Sequence, residues 1–533
     1  MLLELAFALS FHSNIAALEK AQTKPHEFVF GNENEPETLD PHKVTGVPDN
    51  NIVVQIFEGL MRHGQDWVSL MPGQAENIPQ PKDGGKLYVF KLRKGLKWSD
   101  GSPLTAKDFE WSWLRAMRAD TMGPYSYWLT DNIVGAAEYS KNPTPENAAK
   151  VGVKALDERS LEVRLNKPVP FFLHLTAESV MFPAKKENVE KFGDQWTRPE
   201  NMVSNGPYTL KEWSVQQNIV LKKNPQYWNA AEVNIEQVVA LPLNDKQTAV
   251  NMFRQGRLDW TGHNGAPNAL VPALKKDPNF RVEPAFITYF YRFNTTREPL
   301  NDARVRQALA LAIDRNALVE KVTRGGEIPA ISLVPPKTGD YVSPKGVVSG
   351  NFPEDLKKAK TLLAAYMKEK GLKSLRTLRL QYDTKELHKR IAQAIQEMWS
   401  KNLGITAEPF NQEWKVYLAA QRQMDFDISR SGWMGDYPDP ATFLELFTSS
   451  SGNNHTGYAS PNYDKLFERS SGEVDHDKRL KILETTEKLL LEDLPILPMF
   501  YYTNFGFVRP EVLGFTPNLV DRAYVMYFNK SNK

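Results

Sequence analysis

No low-complexity stretch, internal repeat or Pro/Gly/Ser-rich linker interrupts the 533 residues of this chain. Its lobes must therefore be joined by short crossings, which favours a hinged clamshell over domains strung along linkers. At roughly 150 residues per domain, length alone suggests about three or four such lobes. With 41% hydrophobic residues the chain can build real cores, and the 11% aromatic content, including 19 Tyr and 12 Trp, also suits a lined pocket.

Charge and cysteine usage exclude several classes. The 66 basic and 64 acidic residues leave a net charge of +2, which gives no reason to expect nucleic acid or anionic membrane as a partner. The chain has no cysteine. That removes disulfides, thiolate metal sites, cysteine nucleophiles and lipid attachment through an N-terminal cysteine, and it suits an oxidising compartment. Met1 to Ser10 is mostly apolar but short, and carries Glu4; Ala16 and Ala17 follow as at a cleavage site. Residues 1–27 read either as a leader or as the remnant of a secretory signal. No other run approaches the ~20 apolar residues of a membrane span.

Periodicity predicts a strand at Phe28 to Gly31, a turn-rich stretch to Asp49 and a helix over Asn51 to His63 with Ile52, Ile56 and Leu60 on one stripe. Tyr88 to Leu92 alternates as a strand, and Ser99-Asp100-Gly101 is a turn. Thr105 then caps a helix with Asp108 as its capping-box partner. Strands are expected at Ser160 to Leu165, Tyr208 to Trp213 and Ile219 to Leu221. After Asn301-Asp302, helices at Val305–Lys321, Leu356–Lys368, Leu387–Lys401 and Leu480–Leu490 alternate with strands at Leu378–Tyr382 and Phe426–Ser429, an α/β pattern. Met499 to Phe505 and Ala523 to Tyr527 look strand-like.

Catalytic signatures are missing. The nine histidines have no metal-ligand spacing, and neither a phosphate-cradling glycine loop nor a nucleophile elbow occurs. Carboxylate pairs such as Asp436 and Asp439 are unremarkable among 64 acids. The reading is of a non-enzyme without metal or cofactor.

The stretch Tyr88-Val-Phe-Lys-Leu-Arg-Lys-Gly-Leu-Lys-Trp-Ser-Asp-Gly-Ser-Pro-Leu-Thr-Ala-Lys-Asp108 resembles the most recognisable segment of the family-5 extracellular solute-binding proteins. Leu39 to Pro48, Phe57-Glu-Gly-Leu60, Asn205 to Leu210, Tyr227-Trp-Asn229, Asn301 to Arg306 and Asn411-Gln-Glu-Trp414 resemble its oligopeptide-binding branch, the capture subunits of ABC-type peptide importers. The resemblance runs from about Phe28 to the C-terminus. It implies an α/β, type II-like periplasmic binding protein clamshell with three lobes, of mixed sheets flanked by helices with an extra inserted lobe. Residues 28–57, 186–288 and 504–533 would form lobe I, 58–185 the inserted lobe II and 289–503 lobe III. The implied location is the periplasm, reached through a signal peptide and without a lipid anchor. The implied partners are short peptides of about two to five residues, held in extended form by strand addition, and an inner-membrane permease. The chain itself would be a monomer.

A receptor for peptides of many sequences must hold what all peptides share: a main chain, an ammonium and a carboxylate. A buried ammonium needs a carboxylate partner, or desolvation costs several kcal/mol. Arg430-Ser-Gly-Trp-Met-Gly-Asp-Tyr-Pro-Asp-Pro440 has suitable ingredients, although Asp436 before a Tyr-Pro also suits a turn cap. By resemblance, Asp436 pairs with the peptide α-ammonium. Gly432, Trp433 and Met434 on one side, and Thr45, Gly46 and Val47 on the other, contact the peptide backbone. Arg430 and His388 face its carboxylate. Tyr127, Asn264, Trp414, Leu418, Gln421 and Tyr502 line side-chain pockets, positions that core packing alone would also explain.

Three departures from close relatives follow from the same resemblance. Ala310 and Gln421 replace a lysine and an arginine, which predicts a weaker grip on carboxylates. Ile287 and Met434 replace two cysteines of a disulfide together, which predicts an apolar contact between them. Rival readings are a narrower receptor (for dipeptide, murein peptide, nickel chelate or haem), a peptide hydrolase and a chaperone-like protein. The loop at Val47–Asn50 and Arg430 favour longer peptides over dipeptides.

Overall fold

A computed structural model describes Lys24 and residues 26–531. The segment read as a possible signal is therefore almost wholly outside the described residues.

Along the chain, β1 (Glu27–Gly31) leads to helix α1 (Val47–Ile56) and a short hairpin of Met61–His63 with Leu70–Pro72. Then come β2 (Leu87–Lys91), α2 (Ala106–Met117), β3 (Val153–Ala155) and β4 (Ser160–Arg164). The chain returns through β5 (Tyr208–Ser214), β6 (Asn218–Lys223) and β7 (Gln237–Leu241). The rest comprises β8 (Phe280–Phe293), α3 (Ala303–Leu311), β9 (Ile328–Pro329), α4 (Phe352–Lys370), β10 (Leu378–Asp383), α5 (Glu386–Leu403), β11 (Ala407–Gln412), α6 (Trp414–Arg422), β12 (Ile428–Met434), α7 (Pro461–Gly472), α8 (His476–Asp493) and β13 (Ile496–Phe507).

Three sheets organise these elements. The first has order β1-β7-β6-β5, so β1 pairs in parallel with a strand more than 200 residues later. The second, β2-β4-β3, is built wholly from chain lying between β1 and β5. Helix α2 covers it with Phe109 and Trp113, and its start is set by the expected cap, with the Thr105 N–H donating to Asp108 at 2.7 Å. The third sheet runs β9-β13-β8-β12-β10-β11. Its central strand β8 is apolar on both faces, as a strand covered on both sides must be. Tyr289, Tyr291 and Phe293 face residues of α3, α4 and α5, while Phe290 meets Phe447 and the α7–α8 layer.

Two long strands of the third sheet reach a core that also contains residues of the first. Phe280–Pro284 of β8 pairs with Thr503–Phe507 of β13, and Phe280, Phe505 and Phe507 pack in a core with Val29 and Leu258. Farther along, Tyr289–Arg292 pairs with Ile496–Phe500 inside the third sheet. The register breaks between Pro284 and Thr288. Proline cannot donate to a ladder, and such a break bends the strand that carries it.

Three expectations are corrected. Helix α1 starts four residues before Asn51 and ends at Ile56, so Val47–Asn50 is its first turn and not a loop; Pro48 suits that turn, where an amide donor is not needed. The helix expected over Val305–Lys321 is broken after Leu311. Asp314 caps a new turn by accepting from the Ala317 N–H at 3.0 Å, and the Arg315 guanidinium takes the carbonyls of Ala310 and Ile313. Ala523–Tyr527 is not a strand but ends in a 3-10 turn, because the buried Gln55 side chain donates to the Ala523 carbonyl and accepts from the Val525 N–H.

Candidate binding site

Strand β12 positions the first part of the site. It pairs with β8 along Ile428–Met434 but with β10 only at Ile428 and Ser429, so its last five residues have no ladder partner on the β10 side. The orientation of their polar groups follows from strand alternation. The Arg430 carbonyl accepts from the Gln421 amide at 2.8 Å and from the Tyr417 hydroxyl, both off the strand's outer edge, while the Gly435 N–H donates to Phe286 on β8. Even-numbered residues therefore direct their backbone groups away from β8. Gly432 and Met434 present N–H and C=O groups along a free edge, whereas Trp433, opposite Thr288, turns its own into the ladder. Ile287 lies directly opposite Met434, the apolar pairing expected in place of a disulfide.

Beyond the strand, Asp436 enters a cleft that also exposes Thr45, Val47, Tyr125, Trp128, Glu178, Ile287, Met434 and Arg522. These residues come from six separated stretches of chain. Asp436's own N–H donates to the Thr442 hydroxyl at 3.1 Å, and among the described residues no hydrogen bond or ion pair engages its carboxylate. Burial, and then the neighbouring Glu178 charge, push this carboxyl up to about 6. Glu445 is pushed up to about 7 by burial and then by Asp436. Glu178 behaves oppositely: burial works to raise it, but the His63 hydrogen bond at 2.8 Å and Arg522 at 3.9 Å hold it below its ordinary range. The phenols of Tyr125 and Tyr127 are raised by burial and then by the Asp436 charge; Tyr127 itself is exposed, its ring 6.0 Å from Trp128, and does not line the cleft. Asp439 forms no dyad with Asp436, because it is bound at 2.6 and 2.9 Å by Arg479.

Arg430 and His388 meet at a second cluster, on a group that sequence reasoning missed. His388, in the first turn of α5, donates from Nδ1 to Asp383 at 2.6 Å, and Arg430 Nη1 stands 3.5 Å from the same oxygen. The guanidinium lies 4.9 Å over the Tyr289 ring, beside Tyr502. Burial works to raise the Asp383 carboxyl, but the His388 bond and the Arg430 charge keep it below the usual carboxylate range. His388 is lowered by burial against the pull of Asp383, which leaves it neutral at pH 7. Nothing in the local pattern Gln-Tyr-Asp-Thr distinguished Asp383, since its partners lie on α5 and β12.

The remaining expected residues scatter. Gln421 is buried and spends its amide on the hydroxyls of Tyr417 and Ser429 and the Arg430 carbonyl, so it braces β12. Leu418 is half-buried on the same helix, and the Trp414 side chain lies outside the described residues. Asn264 sits in a separate crevice with Glu33 and Lys246, and its amide contacts His263 at 2.9 Å. Gly46 caps α1 in extended conformation and does not line the cleft. Ala310 is fully buried in the core between the third sheet and its helices, so its replacement of a lysine leaves the charge of the cleft unchanged.

Comparison with known proteins adds independent findings. The model for the middle region of bacterial extracellular solute-binding proteins, family 5, matches residues 69–455. The periplasmic oligopeptide-binding protein OppA of Salmonella typhimurium is 41% identical over 505 residues, covering 93% of this chain and 91% of its own. Among solved structures, the periplasmic murein tripeptide-binding protein MppA in its unliganded open form superposes with a TM-score of 0.87 at 34% identity, covering 96% of this chain and 98% of its own. Haemophilus influenzae OppA complexed with the peptide RPPGFSPFR reaches 0.71 at 32% identity, with 96% and 100% covered. Identity and coverage are nearly equal in the two cases, so the higher TM-score reflects a closer match to the arrangement in the unliganded MppA structure.

Proposed function

This chain belongs to the bacterial extracellular solute-binding proteins of family 5, and from that premise we propose that it captures short peptides in extended conformation outside the cytoplasm and delivers them to an ABC-type permease. Its curated relatives are oligopeptide-binding proteins, and a solute-binding role in peptide import follows from that kinship. The site assignment is our own reading. The single observation that carries it is Asp436: a carboxylate without a partner, raised by burial, at the end of a strand with a free backbone edge. An extended peptide adds to Gly432 and Met434 as a further strand. Its α-ammonium meets Asp436, and its other end points toward Arg430 and His388. Thr45 and Val47 face it across the cleft.

Closure would pivot on β8 and β13, where the register break lies beside the proposed boundaries between lobes I and III at residues 288/289 and 503/504. The insertion of the second sheet's chain between β1 and β5 supports reading residues 58–185 as an inserted lobe. A monomer and a periplasmic location, with peptides of about two to five residues as ligands, complete the proposal.

Calorimetry with a matched pair of peptides tests it. Asp436→Asn should weaken a free-amine tripeptide by about a hundredfold, the scale of a lost charge-assisted contact, and leave its N-acetylated form unchanged. Equal binding of both forms, before and after substitution, removes the ammonium assignment.

A further inference from the structure

Arg430, on the same face of β12 as the cleft-lining Met434, already shares with His388 an anion supplied by the protein. Asp383 is buried, accepts the His388 Nδ1 proton at 2.6 Å and stands 3.5 Å from the Arg430 guanidinium. With His388 neutral, Arg430 and Asp383 cancel, and the other groups packed on them, Tyr289 and Tyr502, are uncharged phenols. A ligand carboxylate brought to Arg430 would also meet the Asp383 charge, so its attraction to one is offset by repulsion from the other. The imidazole proton that could serve that carboxylate is committed as well. Gln421 adds no charge, being neutral and spent on β12.

We propose that Asp383 is a specificity-determining residue: it acts as a built-in counter-ion for Arg430 and His388, so the distal end of the cleft does not select for a ligand carboxylate and accepts peptides whose C-terminus is amidated, or whose chain continues past this point. This rests on the peptide-capture reading and refines it. The specificity follows from charge balance, since a binding site discriminates by the difference between what it gains from one ligand and from its analogue.

Trialanine and trialanine amide, measured by calorimetry on the full chain, separate the possibilities. The wild type should bind acid and amide within about threefold of each other, because a neutral cluster gives little net charge-assisted bonding. Asp383→Asn should shift the acid-to-amide affinity ratio toward the acid by about ten- to hundredfold, the value of freeing one guanidinium for a charge-assisted bond. A merely structural lesion would lower both ligands together and leave the ratio unmoved. A wild type that already prefers the acid by more than tenfold overturns the inference even where the variant does not fold. So does a folded Asp383→Asn protein with an unchanged ratio. In both cases peptide capture stands, because both ligands bind; failure of the wild type to bind either peptide overturns the capture reading and this inference together.

Discussion

At the scale of single residues, the cleft is governed by which carboxylates have found a partner. Asp383, Glu178 and Asp439 are all ion-paired and held low, while Asp436 is unpaired and titrates near 6. Linkage then fixes a pH dependence. The empty site binds a proton at Asp436 below about pH 6, whereas an ammonium favours the ionised form and lowers its pKa, so that proton must be released when peptide binds. Affinity for free-amine peptides should be flat above about pH 7 and fall about tenfold per pH unit below 6. N-acetylated peptides should lack that decline, which titration calorimetry from pH 4.5 to 8 would reveal. A profile shared by both peptides assigns the decline to another group. Asp436 was singled out by resemblance, since its local pattern ahead of Tyr-Pro also suits a turn cap. Asp383 was not, because an ion pair between residues 47 positions apart leaves no local signal.

Elements were legible wherever their start and stop signals are local. The capping box at Thr105, the alternating run of β2 and the amphipathic periodicity of α5 all depend on a few neighbouring residues. Where a side chain from afar takes over backbone hydrogen bonds, as Gln55 does at Ala523–Val525 and Arg315 at Ala310–Ile313, periodicity misleads. The pairing of β8 with β12 makes a prediction at this scale. Ile287 and Met434 are opposed at a non-hydrogen-bonded position, where Cα atoms lie about 4.5 Å apart, inside the range a disulfide spans. The double variant Ile287→Cys/Met434→Cys should oxidise without leaving free thiol and gain about 2–4 kcal/mol against denaturant. Two titratable thiols persisting after oxidation would contradict the register.

For the whole molecule, the decisive feature is that residues near 45, 125, 287, 435 and 520 line one cleft while lying far apart in the chain. On the proposed clamshell reading, a ligand touching all of them stabilises a closed arrangement over a more open one, by the difference of its affinities for the two. Saturating peptide should reduce the radius of gyration measured by small-angle X-ray scattering, and Asp436→Asn should abolish that change at the same free-amine peptide concentration. An unchanged radius with bound peptide would make the cleft rigid. The sequence by itself determined the class of fold and most element positions, because propensity, capping and resemblance all act over short spans of chain. Only the tertiary structure decided that Gly432 and Met434, and not Trp433, offer a free edge, and that Asp383 neutralises Arg430. Which way a strand turns its polar groups, and which buried charges find each other, depends on neighbours that folding brings from distant sequence.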